Sequence, residues 1–260
     1  MQVAPTILAL DFDGVVCDGL IEYFQTAWRT YCQVWSSASS TPPENLASTF
    51  YQLRPVIEVG WEMPILLRAL ILEIPTAKIW EDWSVIAQQI LLEDHLQAAD
   101  IGAQLDQIRD EWIAADVEDW LAQHRFYPGV VEKVRSLLTS SVQPIIITTK
   151  EGRFVSQLLQ QQQIQLPEQW IIGKESKRSK QQTLRELLNS FTEEAAKIWF
   201  VEDRLKTLQS VKQQSDLEDV RLYLADWGYN TPAQHASIAN DDRIHLLSLA
   251  QFAQDFSAWS

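Results

Sequence analysis

Asp11 and Asp13 are the residues of this chain best placed to do chemistry. They follow four apolar residues, Ile7-Leu8-Ala9-Leu10, and Gly14 comes directly after them. A short unbroken apolar run bounded by a turn signal reads as a strand buried on both faces. The two acids then fall at or just past its carboxyl end, the edge at which open α/β sheets bind their ligands. Positions i and i+2 of an extended chain share a face, so both carboxylates converge on one place. Adjacent carboxylates repel each other unless a proton or a cation separates them. A hard divalent cation is the natural partner of such oxygens, and Mg2+ is the usual one where phosphate is also bound.

Two further apolar runs end in polar groups. Pro144-Ile145-Ile146-Ile147 leads into Thr148-Thr149, and Ile198-Trp199-Phe200-Val201 leads into Glu202-Asp203. Between them Lys180 opens the helical stretch Gln181-Gln182-Thr183-Leu184-Arg185-Glu186-Leu187-Leu188. In this order the segments resemble the four signature motifs of the haloacid dehalogenase superfamily. The resemblance implies that Asp11 is the nucleophile and a metal ligand. Asp13 is then the general acid and base, and its backbone carbonyl also binds the metal. Thr148 would hydrogen-bond the transferred phosphoryl group. Lys180 would balance the charge of nucleophile and phosphate, with Lys174 and Lys177 as nearby alternatives. Asp203 would complete the metal site, with Glu202 binding directly, through water or not at all. Where the commoner form of the fourth motif carries a further acid, this chain has Thr207 and Leu208, so the match is to the variant with two adjacent acids.

The resemblance further implies a Mg2+-dependent enzyme that takes a small phosphorylated substrate through an aspartyl-phosphate. Dehalogenases lack an acid at the place of Asp13, because halide departs without a proton, so a phosphatase is favoured over carbon–halogen cleavage. The nearest likeness is to the phosphoglycolate phosphatase-like group. A phosphosugar mutase and a non-catalytic binding descendant are the other outcomes the same motifs allow.

The elements that must position these groups alternate regularly after residue 125. Phe126-Tyr127-Pro128-Gly129 marks a turn, and strands are predicted near 143–148, 169–173, 198–201, 221–225 and 243–247. Helices are predicted near 130–140, 153–163, 181–189 and 204–214. Such alternation demands a mostly parallel sheet with helices on both faces, a Rossmann-like α/β core. Residues 20–124 differ. Leu20, Phe24, Trp28, Tyr31 and Trp35 recur at helical spacing, as do Ile101, Leu105, Ile108 and Trp112, and breaks are expected at the Ser39–Pro43 stretch, Pro55, Pro64 and Pro75. The domains predicted are a core of 1–19 with 125–260 and an all-helical cap of 20–124, inserted after the first core strand. In the family such a cap closes over the site and selects the substrate.

The cap holds sixteen acids against five basic residues, Arg29, Arg54, Arg68, Lys78 and Arg109. Of these Arg54 is the candidate substrate contact, because Pro55 marks a helix boundary there; the alternative is a surface pair with Glu58 or Glu62. Thr149 and Lys150, in the loop after the second motif, are the other candidate substrate contacts. Seven of the eleven tryptophans also lie in the cap, where helical spacing reads most of them as core.

A net charge of −14 argues against nucleic acid or an anionic membrane as partner. It leaves an anionic phosphate substrate open, since a metal and one or two cations invert the field inside a small site. No apolar run reaches the roughly 18 residues of a membrane helix. The early first strand leaves no room for a signal peptide, and two cysteines make neither a disulfide framework nor a zinc site. The expected setting is cytoplasmic.

Overall fold

The computed structural model describes residues 4–36, 39–190 and 196–259. By internal contacts the chain divides into two compact units, residues 1–18 with 125–260, and residues 19–124.

The first unit is built on β1 (Ile7–Leu10), β2 (Cys17–Asp18), β3 (Arg125–Phe126), β4 (Gln143–Ile147), β5 (Ile171–Ile172), β6 (Ile198–Glu202), β7 (Arg221–Ala225) and β8 (Ile244–Leu247). Six of these form one sheet in the order β5-β4-β1-β6-β7-β8, and every pairing in it is parallel. The chain adds strands to one side of β1 and then to the other, so β1 is the switch point of the topology, flanked by β4 and β6. Its four residues are fully buried, as the unbroken apolar run requires. One face packs Ala9, Ile145, Phe200, Leu222 and Ile244 against Leu184, Leu205 and Leu208 from the crossover helices.

The second unit is all-helical among its described residues: α1 (Leu20–Val34), α2 (Leu46–Leu53), α3 (Glu62–Ile71), α4 (Thr76–Glu93), α5 (Ala98–Ala115) and α6 (Val117–Leu121). Its core gathers Phe24, Trp28, Phe50, Leu66, Trp83, Ile90 and Leu105. Trp112 and Trp120 are buried as well, whereas Trp80 is exposed. The core unit's helices are α7 (Val130–Leu137), α8 (Gly152–Gln161), α9 (Lys180–Ser190), α10 (Leu205–Lys212), α11 (Pro232–Ser237) and α12 (Leu249–Phe252). No described helix is long and apolar enough to cross a membrane.

Three details depart from the sequence expectations. Pro64 does not break a helix but lies in the first turn of α3, where its missing N–H would have had no intrahelical partner. The short antiparallel pair β2–β3, in which Cys17 faces Phe126 and Asp18 faces Arg125, was not expected; two residues per strand are too few to leave a periodic signal. Arg54 is not on the surface. It sits in a single 3-10 turn, is 8% exposed, and donates from Nη1 to the Ile57 carbonyl at 3.1 Å, with its guanidinium 5.1 Å from the Tyr23 ring centroid. The carboxylate of Glu62, one of its two expected partners, instead accepts the backbone N–H groups of Glu58 and Val59.

Candidate active site

Strand register brings the predicted groups level. Leu10 lies opposite Ile146 of β4 and Val201 of β6. The next residues on the three strands, Asp11, Ile147–Thr148 and Glu202–Asp203, therefore share the carboxyl edge at the switch point. Asp11, Thr148, Glu202 and Asp203 are all buried there. Carboxylate oxygens of Asp11, Glu202 and Asp203 lie within 4.8 Å of one another.

Lys180 enters from the first position of α9. Ser179 and Gln182 exchange hydrogen bonds across this helix start, from Gln182 N–H to Ser179 Oγ and from Ser179 N–H to Gln182 Oε1, which fixes the entry of the chain. A cation at a helix N-terminus opposes the macrodipole. Here that local cost is offset, because Lys180 Nζ lies 2.8 Å from Asp11 Oδ1 and 2.5 Å from Glu202 Oε2. Of the three candidate lysines, Lys180 alone makes these pairings among the described residues; Lys174 and Lys177 belong to an exposed turn in which Lys177 has φ +53°. A second cation converges on the other aspartate: Lys150 Nζ is 3.3 Å from Asp13 Oδ1. The Thr148 hydroxyl accepts the Lys150 backbone N–H at 3.1 Å, while the Thr149 side chain is exposed.

Burial dominates the electrostatics. It pushes the Asp11 carboxyl above its ordinary value, with Lys180 opposing and Asp13 adding to the rise. It pushes Glu202 well up, against Lys180 and together with Asp11 and Asp203. Asp203 is raised by burial and then by Asp11, while the Tyr229 N–H pulls the other way. Burial also works against the Lys180 ammonium, but Asp11 and Glu202 outweigh it and hold the group above the ordinary lysine range. Three buried carboxylates thus surround one partly buried ammonium, which pairs with two of them, an excess of negative charge that a bound divalent cation would cancel. The donor set, all hard oxygens from Asp11 and Asp203 with Glu202 adjoining, fits Mg2+.

Two glycines shape the site. Gly14 has φ +88°, and a Cβ there would lie 2.3 Å from Asp203 Oδ2. A Cβ on Gly228 would lie 2.3 Å from Asp203 Cβ and 2.7 Å from the Gly14 carbonyl oxygen. Gly228 was not singled out from the sequence, nor were its neighbours: Tyr229 N–H donates to Asp203 Oδ2 at 2.9 Å, and Asn230 Nδ2 donates to the Asp203 carbonyl at 3.0 Å. The available signal was position, since Trp227-Gly228-Tyr229-Asn230 follows the carboxyl end of β7 on the ligand-binding edge. His124 packs against Trp120 in the helical unit and pairs with its carbonyl through Nδ1. Arg54 likewise belongs to the helical unit.

No curated protein matches the chain. Among solved structures it is similar to a haloacid dehalogenase-like hydrolase of Bacteroides fragilis (TM-score 0.56, 16% identity, covering 95% of this chain and 99% of that one). It is also similar to a predicted phosphatase of Clostridium acetobutylicum (TM-score 0.57, 11% identity, 96% and 97%), and to a predicted phosphoglycolate phosphatase of Haemophilus somnus (TM-score 0.55, 14% identity, 94% and 95%). At such identities the likeness is one of fold. The family model of haloacid dehalogenase-like hydrolases matches residues 83–215. That stretch carries Thr148, Lys180, Glu202 and Asp203, and Asp11 joins it directly after β1, the strand between β4 and β6. With more than half of its length matched in this way, the chain belongs to the haloacid dehalogenase-like hydrolases.

Proposed function

We propose that the protein is a Mg2+-dependent phosphomonoester hydrolase that acts on a small phosphorylated metabolite through an aspartyl-phosphate on Asp11. The observation that carries this reading is the Lys180 ammonium held between Asp11 and Glu202, with Asp203 alongside, at the sheet's switch point.

An Asp11 carboxylate oxygen attacks phosphorus, and the bond from phosphorus to the departing oxygen breaks. Asp13 gives its proton to that oxygen, then takes one from the water that hydrolyses the acyl phosphate. Its 3.3 Å contact with Lys150 holds it beside the nucleophile. Lys180 and the Thr148 hydroxyl bind the equatorial phosphoryl oxygens as charge builds on them. Mg2+, held by Asp11, Asp203 and the Asp13 carbonyl, would supply the charge that lets one anion approach another. Glu202 serves chiefly to anchor Lys180: its Oε2 takes the ammonium at 2.5 Å and its Oε1 the Arg204 backbone N–H at 3.0 Å. Residues 19–124 act as the cap that selects the substrate, with Arg54 contacting a part remote from phosphorus, and Thr149 and Lys150 contribute substrate contacts from the core unit. A reducing, cytoplasmic setting suits the free Cys17 and Cys32.

The test is hydrolysis of an aryl phosphate with Mg2+ and with EDTA. Turnover that needs Mg2+ and disappears in Asp11→Asn supports the reading; turnover that survives either change overturns it.

A further inference from the structure

We infer that Tyr229 is a positioning residue that joins Asp203 to the β2–β3 crossing, where the chain leaves the core unit and returns to it. The inference rests on the reading of Asp203 as a metal ligand.

The residue is 6% exposed and makes two bonds in opposite directions. Its backbone N–H donates to Asp203 Oδ2 at 2.9 Å, and its hydroxyl donates to Asp18 Oδ1 at 2.8 Å. Asp18 ends β2 and is the last residue of the core unit before the helical unit begins; Arg125, its partner in β3, is the first on return. One residue therefore links the carboxylate cluster, through its backbone N–H, to β2, through its hydroxyl, and β2 is paired with β3. Just beyond β3, the Tyr127 ring packs edge-on against Trp227, two residues before Tyr229, with ring centroids 6.5 Å apart.

The loop that carries Tyr229 is held on every side. Trp227 Nε1 donates to the Val15 carbonyl at 3.0 Å, in the turn that follows Asp13 and Gly14. Asn230 Nδ2 donates to the carbonyls of Asp203 and Ala225, and its Oδ1 pairs with His235. Gly228 abuts Asp203 Cβ with no room for a side chain. Asp203 cannot shift without moving this loop, and the loop cannot shift without straining the Tyr229–Asp18 bond. A simple turn from β7 into α11 needs none of these bonds. A cation that fixes Asp203 therefore also fixes the crossing, and by linkage the two effects are reciprocal.

The experiment is hydrogen–deuterium exchange of the whole protein with and without Mg2+, read at residues 16–18 and 125–127, with Mg2+ affinity measured by calorimetry. In the wild type Mg2+ should slow exchange there roughly tenfold, the scale of one hydrogen bond to a charged acceptor. Tyr229→Phe keeps the ring and the backbone N–H. It should bind Mg2+ within about threefold of wild type and lose most of this Mg2+-dependent protection. Asp18→Ala should do the same, and Asp18→Asn, which keeps an acceptor oxygen, should restore it. Protection that persists in both Tyr229→Phe and Asp18→Ala overturns the inference. So does Mg2+ binding to the wild type with no protection at the crossing, which leaves the metal reading standing. Absence of Mg2+ binding to the wild type overturns both.

Discussion

Replacing Lys180 by methionine should destabilise the metal-free protein far more than loss of an ordinary lysine does. The methionine keeps most of the stem and removes the ammonium, which lies 2.8 Å from Asp11 and 2.5 Å from Glu202. Glu202 is fully buried and Asp11 nearly so, so neither can turn to water for compensation. Removing one partner of a buried ion pair typically costs about 3–5 kcal/mol, because the other charge stays buried and uncompensated. For a chain of this size that corresponds to a fall in Tm on the order of 10 °C. The orphaned carboxylates can escape part of the penalty by taking up protons, so the deficit should shrink toward acid pH. Lys212→Met supplies the control: its partners Asp241 and Asp242, at 2.8 and 3.2 Å, keep access to water, so its Tm should fall far less. The assay is thermal and urea unfolding in EDTA near pH 7.5, repeated near pH 5.5. A Lys180→Met protein as stable as the Lys212→Met control at both pH values would refute the reasoning, since it would mean that the carboxylate cluster does not depend on its ammonium.

Asp13→Asn should cost more activity with an alkyl phosphate than with an aryl phosphate of an acidic phenol, because a good leaving anion needs no proton; equal losses at unchanged Mg2+ affinity would contradict the acid role. The pH dependence has a definite sign. Asp11, Glu202 and Asp203 are all raised in the folded state, so their contribution is fully present below the unfolded carboxylate range near about 4 and is lost as pH rises through the folded values. Mg2+ binds the deprotonated forms, so it should raise Tm more near pH 8 than near pH 6, and the reverse order in calorimetry would contradict the assignment of these carboxylates as ligands. Arg54→Ala should now lower stability by about 1–3 kcal/mol, because the Ile57 carbonyl loses its donor, and should raise KM for the natural substrate while leaving small aryl phosphates unaffected. An unchanged unfolding midpoint would contradict the burial argument, and an unchanged KM would remove Arg54 from the substrate contacts.

The core was legible in the sequence because its central strands are continuous apolar runs, and each ends in the group that the sheet's carboxyl edge displays. Asp11, Thr148, Glu202 and Asp203 could be found for that reason. Lys180 could not be chosen over Lys174 and Lys177 from residue type alone. The choice needed the start of α9, set by Ser179 and Gln182, and the depth at which β6 places Glu202. Tyr229 escaped notice because its contact with Asp203 is made by a backbone N–H, which every residue but proline has. For Arg54 the proline boundary offers a substrate contact or a surface pair with Glu58 or Glu62, and neither anticipates that the 3-10 turn folds the guanidinium back onto Ile57 and Tyr23. The β2–β3 pair is set by tertiary contact at the crossing and has no local pattern to read.

The central claim is that Asp11 becomes phosphorylated during turnover. Its most direct test is borohydride quenching of the enzyme during turnover of an aryl phosphate with Mg2+, followed by peptide mass spectrometry. An acyl phosphate is reduced to the alcohol, so the account predicts homoserine at position 11 in the wild type, dependent on substrate and absent from Asp11→Asn. Steady turnover with an unmodified Asp11, or with the reduced residue at another carboxylate, would contradict it.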